Sequence, residues 1–328
     1  MLQLFPNRIT FDTNPYLCNQ RCIMCDTHSP YRTTTLTENL EMSSFLLRKV
    51  LREAKLHNVS EIIPSTMGEP LLYSYFNVFL EELAGCNMRL NLTTNGSFPG
   101  KSIEQWAEIL LPMCSDIKIS LNSIDPLANE HIMNGCDTVK VMDNIKTLAK
   151  IRSKLHEANI QCATLTLQVT FMRATLHGLD DLISFAISHG LERVKGHQLW
   201  VTWEQLSDQT LYNDSFWINQ WNEVTGQLKK KYGSLIVLEN FLPLSSSANL
   251  VPEGYDCPFL GKEAWISLDG DFNICCAPDK LRREFGDFGN VLNSDLSELF
   301  NSGDYRNLIR SYKEYSICQN CHLRRPLT

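Results

Sequence analysis

Apolar and polar residues alternate along three successive segments of this chain, and helical patterns separate the segments from one another. At residues 88–92, 117–122 and 164–171 an apolar residue occupies every second position, which predicts β-strands with one apolar and one polar face. Further short strands are predicted on either side, so that six strands alternate with helices up to about residue 200. This order is typical of a parallel sheet.

The polar faces of these strands restrict the kind of sheet. Parallel strands that are covered on both faces usually form continuous apolar runs, so a polar face predicts a lumen that holds a polar ligand. We therefore predict an α/β fold, a partial (β/α)6 barrel of the TIM type followed by a small C-terminal α+β domain. The alternative is an edge strand with solvent on one face.

Composition and turn signals divide the chain into three predicted regions. Residues 1–200 form the predicted barrel, and residues 201–255 are a connecting region on the substrate side that is rich in Trp, Asn, Gln and Ser. Residues 256–328 form the predicted C-terminal domain, where Asp269-Gly270 indicates a β-hairpin turn.

The charge balance and the absence of long apolar runs exclude several classes of protein. The chain has 30 basic and 37 acidic residues, a net charge of −7, which argues against non-specific binding of nucleic acid or anionic lipid. No apolar run approaches the ~18 residues of a membrane span, and the N-terminus has no secretory pattern. We expect a cytoplasmic protein with neither nucleic-acid nor membrane partners, in which clustered cysteines are metal ligands rather than disulfides.

Three cysteines form a C-x3-C-x2-C motif on the loop after the first predicted strand: Cys18, Cys22 and Cys25. A structural zinc ion takes four protein ligands, and His28 could be the fourth. A four-iron cluster held by three cysteines instead leaves one iron open to a substrate or cofactor. The motif and its place in the fold resemble the radical S-adenosylmethionine (SAM) superfamily.

Other positions also match this superfamily. Met67-Gly68-Glu69-Pro70 resembles the Gly-Gly-Glu-Pro motif that binds the SAM amino group, with Met67 in place of the first glycine. Met24 occupies the position of the residue that packs on adenine, and Ser120 and Asn122 resemble residues that contact the ribose. The lumen positions Thr94, Asn95, Thr170 and Arg173 are expected to line the same ligand; the alternative is that lone polar residues only fill the lumen.

A second group of cysteines lies near the C-terminus. Cys257, Gly270 and Cys275 follow the Cys-x(9–15)-Gly-x4-Cys pattern that opens the SPASM and twitch extensions of radical SAM enzymes, and Cys318 and Cys321 form a terminal C-x2-C. The resemblance implies that these four cysteines bind one auxiliary 4Fe–4S cluster. The adjacent Cys276 is an alternate ligand, and a structural zinc ion is the alternative occupant.

The resemblance also implies an activity. Such an enzyme receives an electron from an external reductant such as flavodoxin or ferredoxin, cleaves SAM reductively to a 5′-deoxyadenosyl radical, and abstracts hydrogen from a substrate. The sequence does not identify a catalytic base or hydrogen donor. A non-enzymatic iron–sulfur carrier or sensor is the rival class, although it would need neither a polar lumen nor a motif like that at 67–70.

Relatives with this extension mostly modify ribosomally made peptides by crosslinking, epimerisation or backbone excision, and a minority oxidise or epimerise sugars or aminocyclitols. We expect a precursor peptide, with the sugar or aminocyclitol as the alternative. Since no segment is left for a leader-binding module, we expect a separate recognition protein or capture by the Trp-rich region 200–221. Substrate contacts are expected where the sixth strand ends, at Lys195, His197, Trp200, Trp203 and Glu204; alternatively, the two Trp residues only cover the barrel mouth.

Overall fold

The computed structural model describes residues 5–34, 40–64, 67–245, 251–277, 279–321 and 323–326, without the side chains of residues 279, 280 and 283. It divides into two compact units. Unit 1 comprises Met1–Leu17, Leu36–Asn91 and Leu250–Thr328, and unit 2 comprises Cys18–Thr35 and Leu92–Asn249. The domain boundaries predicted at residues 200 and 255 stay a prediction.

The strands alternate with helices through most of the chain, as the sequence predicts. In chain order the strands are β1 (Arg8–Phe11), β2 (Arg21–Cys22), β3 (Glu61–Ile63), β4 (Arg89–Thr94), β5 (Cys114–Ser120), β6 (Met133–Asn134), β7 (Thr164–Phe171), β8 (Arg193–Gln198), β9 (Val237–Glu239), β10 (Tyr255–Asp256), β11 (Glu263–Ile266), β12 (Phe272–Asn273) and β13 (Arg325–Pro326). The six strands predicted up to residue 200 correspond to β1, β3, β4, β5, β7 and β8.

The helices occupy the segments between these strands. They are α1 (Ser44–Leu56), α2 (Phe76–Leu83), α3 (Ile103–Met113), α4 (Pro126–Ile132), α5 (Thr138–Glu157), α6 (Arg173–Leu176), α7 (Leu179–Ser188), α8 (Ser215–Tyr232), α9 (Asp279–Arg282), α10 (Leu296–Phe300), α11 (Gly303–Ser311) and α12 (Ser316–Gln319). Short 3-10 helices cover Pro70–Leu72, Glu204–Gln209, Arg283–Phe285 and Tyr312–Glu314. Of the helices in the described ranges, none is both long and apolar enough to span a bilayer.

Unit 1 contains the strand order β12-β11-β1-β3-β4. Strand β1 pairs in parallel with β11 and β3, and β3 pairs in parallel with β4. The predicted hairpin is confirmed, since β11 and β12 are antiparallel. Gly270 closes its turn with a φ of +92°, a conformation that favours glycine.

Unit 2 contains the order β5-β7-β8-β9, in which every neighbouring pair is parallel. The predicted apolar faces of its strands are confirmed, because Ile117, Ile119, Leu165 and Leu167 are fully buried. Helix α3 begins with a capping box, in which the Ser102 hydroxyl and the Gln105 side chain satisfy each other's backbone N–H groups.

The polar face of the unit 1 strands carries an ion-pair network near their amino ends. Arg8 bonds to Glu61 and lies 3.5 Å from Glu263. Thr10 donates to the Glu263 carboxylate at 2.5 Å, and Asn91 donates to Glu61 at 3.1 Å. Since buried charges need partners, these residues satisfy one another at the amino ends of the strands.

Unit 2 carries an equivalent network on β5, β7, β8 and β9. The Asp116 carboxylate accepts hydrogen bonds from Thr164 and Thr166 at 2.9 and 2.8 Å, and Arg193 lies 3.5 Å from it. Glu239 pairs with Arg193 at 3.2 Å and with Lys195 at 3.1 Å. These side chains thus pair with one another within the sheet, whereas ligands of βα folds bind at the carboxyl ends of the strands.

Candidate functional site

The C-x3-C-x2-C segment, here called the N-terminal cysteine motif (Cys18–Cys25), lies in unit 2. Its middle cysteine belongs to β2, which pairs antiparallel with β6. The Ile23 N–H donates to the Ile132 carbonyl at 2.9 Å, and the Ile23 carbonyl accepts from the Ser29 hydroxyl at 2.7 Å. Backbone and side-chain hydrogen bonds therefore hold the motif on both sides of its central cysteine.

Two of the three thiols, Cys22 and Cys25, lie in an environment that disfavours their anions. Burial, followed by the charges of Cys25 and Cys18, raises the pKa of Cys22. Burial also raises the pKa of Cys25, against backbone N–H groups that lower it, and one of these, from His28, donates to its Sγ at 3.3 Å. Thiolates in such a place need a cationic metal centre, so the donor set fits an iron–sulfur cluster.

The same residues do not form a site for one metal ion. Four thiolates around zinc lie only about 3.8 Å apart, given a Zn–S distance of about 2.3 Å. Throughout the described part of the chain, no three His, Cys, Asp or Glu side chains are grouped closely enough to hold a single ion.

The Met67–Pro70 motif lies in unit 1, where Gly68 fits tightly against the chain before the cysteine motif. A Cβ at Gly68 would lie 2.0 Å from the Asn14 carbonyl oxygen and 2.7 Å from that of Leu17. The Glu69 N–H donates to the Leu17 carbonyl at 3.0 Å, and its carboxylate caps the next helix by accepting from the Leu71 N–H at 3.2 Å. Glycine is therefore required at position 68.

The predicted SAM residues of β5 and β7 form a connected network in unit 2. The Asn122 side chain accepts from the Thr170 N–H at 2.9 Å, and the Asn122 N–H donates to Asn129 at 3.0 Å. Asn129 in turn donates to Thr138 at 2.9 Å. The network fixes the Asn122 side chain and the Thr170 backbone, which belong to two of the predicted SAM residues. Ser120 is half-buried at the end of β5.

Other predicted SAM residues are placed individually in unit 2. Asn95 donates to Asn19 at 2.7 Å and to Cys18 Sγ at 3.8 Å, so it contacts the cysteine motif directly. Thr94 is buried beside it, and Met24 is half-buried within the motif. Arg173 contacts a different part of unit 2. Its guanidinium donates to the Thr210 carbonyl at 3.1 Å and lies over the Trp217 ring at 4.8 Å.

The predicted substrate residues of unit 2 have different surroundings. Lys195 pairs with Glu239, Glu204 is exposed, and Trp200 is half-buried. The Trp203 indole N–H donates to the Cys25 carbonyl at 2.8 Å.

His197 lies on the same face of β8 as Lys195. Burial, followed by the charge of Lys195, lowers the pKa of His197 to about 4. Its imidazole has no hydrogen-bond partner in the described ranges of the chain. His197 is therefore a neutral side chain with unused donor and acceptor atoms.

The C-terminal cysteine set (Cys257, Cys275, Cys318 and Cys321) lies in unit 1. Burial raises the pKa of Cys275 and Cys318 to about 12 and that of Cys321 to about 11. Each of these values is also raised by other thiols of the set, so the four cysteines lie within electrostatic range of one another. Burial and neighbouring thiols likewise raise the pKa of Cys276, which stays a predicted alternate ligand.

Two buried arginines accompany the C-terminal cysteine set. Arg324 donates to the Cys318 carbonyl at 3.2 Å and to the Tyr255 carbonyl at 2.8 Å, and its charge lowers the pKa of Cys318. Arg282 donates to the Cys275 carbonyl at 3.3 Å, and its charge lowers the pKa of Cys275. Four thiolates with buried guanidinium groups nearby fit an anionic iron–sulfur cluster.

Two buried residues of unit 1 have polar groups that no sequence pattern predicts. Asn14 is fully buried, and its side chain donates to the Glu69 carbonyl at 2.8 Å. This hydrogen bond links the loop after β1 to the Met67–Pro70 motif. The Trp265 indole N–H is buried without a hydrogen-bond partner in the described part of the chain. Neither has a local sequence signal, since their surroundings come from residues far apart in the chain.

Comparisons with known proteins match two regions of the chain, and each region contains one group of cysteines. Residues 15–160 match the Radical SAM superfamily, and residues 257–322 match the SPASM iron–sulfur cluster-binding domain. The chain belongs to the radical SAM superfamily and carries a C-terminal SPASM domain. It is an enzyme, with SAM, a radical SAM cluster and an auxiliary cluster as its cofactors, which excludes the non-enzymatic alternative.

Solved structures show the same fold. Streptococcus suis SuiB bound to S-adenosylmethionine is 17% identical with a TM-score of 0.69, over 97% of this chain and 71% of that chain. Native anSMEcpe with bound AdoMet and Cp18Cys peptide is 15% identical with a TM-score of 0.66, over 97% of this chain and 89% of that chain. The predicted α/β partial barrel with a C-terminal extension is confirmed.

BtrN in complex with AdoMet and 2-DOIA is 16% identical with a TM-score of 0.53, over 98% of this chain and 94% of that chain. No curated protein sequence matches the chain.

Proposed function

We propose that this enzyme matures a ribosomally synthesised precursor peptide by crosslinking, epimerisation or backbone excision. The observation that carries the proposal is the likeness of almost the whole chain to two structures solved with peptides. SuiB bound to precursor peptide SuiA has a TM-score of 0.68, and anSMEcpe with the Cp18Cys peptide has 0.66, against 0.53 for BtrN.

The charges on the lumen face of β8 support an uncharged reacting group. Arg193 and Lys195 are both paired with Glu239 at 3.2 and 3.1 Å, so neither is a free cation for a phosphate or carboxylate. His197 is neutral near pH 7 and has unused hydrogen-bonding capacity. A peptide bond or an alcohol could satisfy it, whereas an anion would gain little from this face.

We assign the two clusters to the two cysteine sites. Cys18, Cys22 and Cys25 hold the cluster that binds SAM, and Cys257, Cys275, Cys318 and Cys321 hold the auxiliary cluster. When bound, SAM and its cluster supply the 5′-deoxyadenosyl radical that abstracts hydrogen. The protein's part is to bury the thiolates, compensate their charge and exclude water from the lumen.

We assign SAM binding to the residues that the family resemblance marks. The Thr170 backbone N–H donates to the Asn122 side-chain oxygen, which holds the Asn122 amide in place, and Gly68 and Glu69 are held by their fit to residues 14–17. The Arg173 guanidinium also donates to the Thr210 carbonyl. The full set is Met24, Met67, Gly68, Glu69, Pro70, Thr94, Asn95, Ser120, Asn122, Thr170 and Arg173.

Two partners complete the proposal. Flavodoxin or ferredoxin supplies the electron, and a separately encoded recognition protein binds the leader of the precursor peptide. Lys195, His197, Trp200 and Glu204 are the proposed substrate contacts.

A second candidate function is the oxidation or epimerisation of a sugar or aminocyclitol. It is favoured by the auxiliary cysteines, whose spacing resembles that of the aminocyclitol-oxidising group. The match to 94% of the BtrN chain agrees with this alternative.

Co-expression with the small open reading frames encoded beside this gene tests the proposal. We expect one encoded peptide to change mass with the wild type, and to stay unchanged with a Cys18→Ala, Cys22→Ala, Cys25→Ala control. The proposal is wrong if no peptide changes mass while purified enzyme, SAM and reductant oxidise an aminocyclitol.

A further inference from the structure

The segment directly after β8 contacts the last cysteine of the N-terminal motif. The Trp203 indole N–H donates to the Cys25 carbonyl at 2.8 Å, and the Thr202 hydroxyl donates to the Asp26 carboxylate at 3.1 Å. These two contacts join residues that are separated by more than 170 positions in the chain. They act on consecutive residues on either side of one peptide bond, Cys25–Asp26.

Trp203 is itself held in place within unit 2. Its carbonyl accepts from the Leu206 N–H at 2.9 Å, at the start of the 3-10 helix Glu204–Gln209, and Leu206 is buried. The far end of that helix is tied to α6, because Gln209 accepts from the Ala174 N–H at 3.2 Å. The indole is thus presented from a segment that is anchored at both ends.

The Cys25 carbonyl is the third fixed point of this residue. The Cys25 N–H donates to the Cys22 carbonyl at 3.0 Å, and the Cys25 Sγ accepts from the His28 N–H at 3.3 Å. Holding the carbonyl fixes the peptide plane that follows Cys25 and with it the ψ angle of that residue. The direction of the Cα–Cβ bond, and so of the sulfur, is then determined by all three contacts.

We propose that Trp203 is a positioning residue of the SAM-binding cluster, and that it acts through the Cys25 carbonyl rather than by contacting substrate. This inference rests on the proposed role of Cys25 as a cluster ligand. It replaces the sequence-based assignment of Trp203 to the substrate, because the one polar atom of its ring is already used by the protein.

A pair of tryptophan variants isolates the hydrogen bond from the ring. Trp203→Phe keeps most of the aromatic volume and removes the donor. Trp106→Phe is the matched control, since the Trp106 indole N–H donates to the Pro99 carbonyl at 2.9 Å. Both full-length variants are reconstituted anaerobically, and iron content, the EPR spectrum with and without SAM, and 5′-deoxyadenosine formation without substrate are measured.

We expect Trp203→Phe to retain iron but to show an altered, broadened EPR response to SAM and about fivefold slower SAM cleavage, the effect of losing one ordinary hydrogen bond. Trp106→Phe should match the wild type in both. Wild-type EPR and cleavage in Trp203→Phe would overturn the proposal, whether or not product formation falls.

A Cys25→Ala variant tests the premise separately. We expect it to lose the SAM-binding cluster. Retention of that cluster would overturn the ligand role of Cys25, and with it the role of Trp203, without bearing on the choice between peptide and sugar substrates.

Discussion

The two cysteine sites differ in how the chain assembles them and in how it compensates their charge. The N-terminal motif places three thiols within eight residues of one loop, whereas the C-terminal set brings four thiols together from positions 257 to 321. Buried Arg282 and Arg324 accompany the C-terminal set, whereas the half-buried Arg32 is the arginine whose charge lowers the pKa of Cys25.

The difference corresponds to two duties. On the proposed assignment, three ligands would leave one iron open for SAM, and the contacts with β6, Ser29 and Trp203 would fix the geometry of the N-terminal motif. Four ligands close a cluster, and buried guanidinium groups stabilise its negative charge in a dry environment. On this proposal, hydrogen-bonded positioning dominates at the N-terminal motif and charge compensation dominates at the C-terminal set.

Removing the N-terminal thiols should have the largest effect. A Cys18→Ala, Cys22→Ala, Cys25→Ala variant should lose about four irons per chain and all SAM cleavage, because no site for the reacting cofactor remains. Iron analysis and chromatography of 5′-deoxyadenosine measure both quantities. Cleavage of SAM by this variant would refute the division of duties.

Removing one C-terminal thiol should separate cleavage from product formation. Cys321→Ala should lose the modified product but keep measurable uncoupled SAM cleavage, since the SAM-binding thiols lie in the other unit. Part of the loss should be stability, because a bound cluster also contributes to folding. Full product formation by Cys321→Ala would remove the catalytic role of the auxiliary site, as would zinc in the wild-type site.

Replacing a buried arginine tests how much that side chain stabilises the C-terminal site. Arg324→Met should lower the free energy of unfolding by about 2–4 kcal/mol, because it leaves buried carbonyl oxygens without their charged donor. Denaturant unfolding measures the change, and Arg310→Met on the exposed side of α11 is the control. An Arg324→Met protein as stable as this control, with its auxiliary iron intact, would contradict the compensation argument.

The smallest expected effect concerns His197 and pH. Since its pKa is about 4 in the folded chain and about 6.5 when unfolded, the unfolded state takes up the proton first as pH falls. The stability associated with the neutral imidazole is therefore present above pH 6.5 and lost towards pH 4, by about 2 kcal/mol at pH 5.

A His197→Gln variant should lose less stability than the wild type between pH 7.5 and pH 5. Denaturant unfolding at each pH measures the difference, with exposed His156→Gln as control. Equal pH dependence in His197→Gln and wild type would show that the imidazole is not held neutral.

Local patterns in the sequence predicted most elements and both cysteine sites. Period-two alternation predicts β4, β5 and β7, which the structure contains, and cysteine spacing predicts the two ligand sets, because each signal depends on residue spacing alone. The role of Trp203, the link from Asn14 to Glu69 and the unsatisfied Trp265 depend instead on tertiary contacts between distant segments. A single sequence contains no local sign of such pairs, and the position of Trp203 after the sixth strand predicts a substrate contact without any sign of its hydrogen bond to Cys25.

The most direct test of two separate clusters with separate duties is the iron content of the reconstituted wild type, set beside SAM cleavage under dithionite. We expect about eight irons per chain, formation of 5′-deoxyadenosine, and about four irons in the N-terminal triple variant without any cleavage. A wild type with about four irons, or a triple variant that still cleaves SAM, would contradict the account.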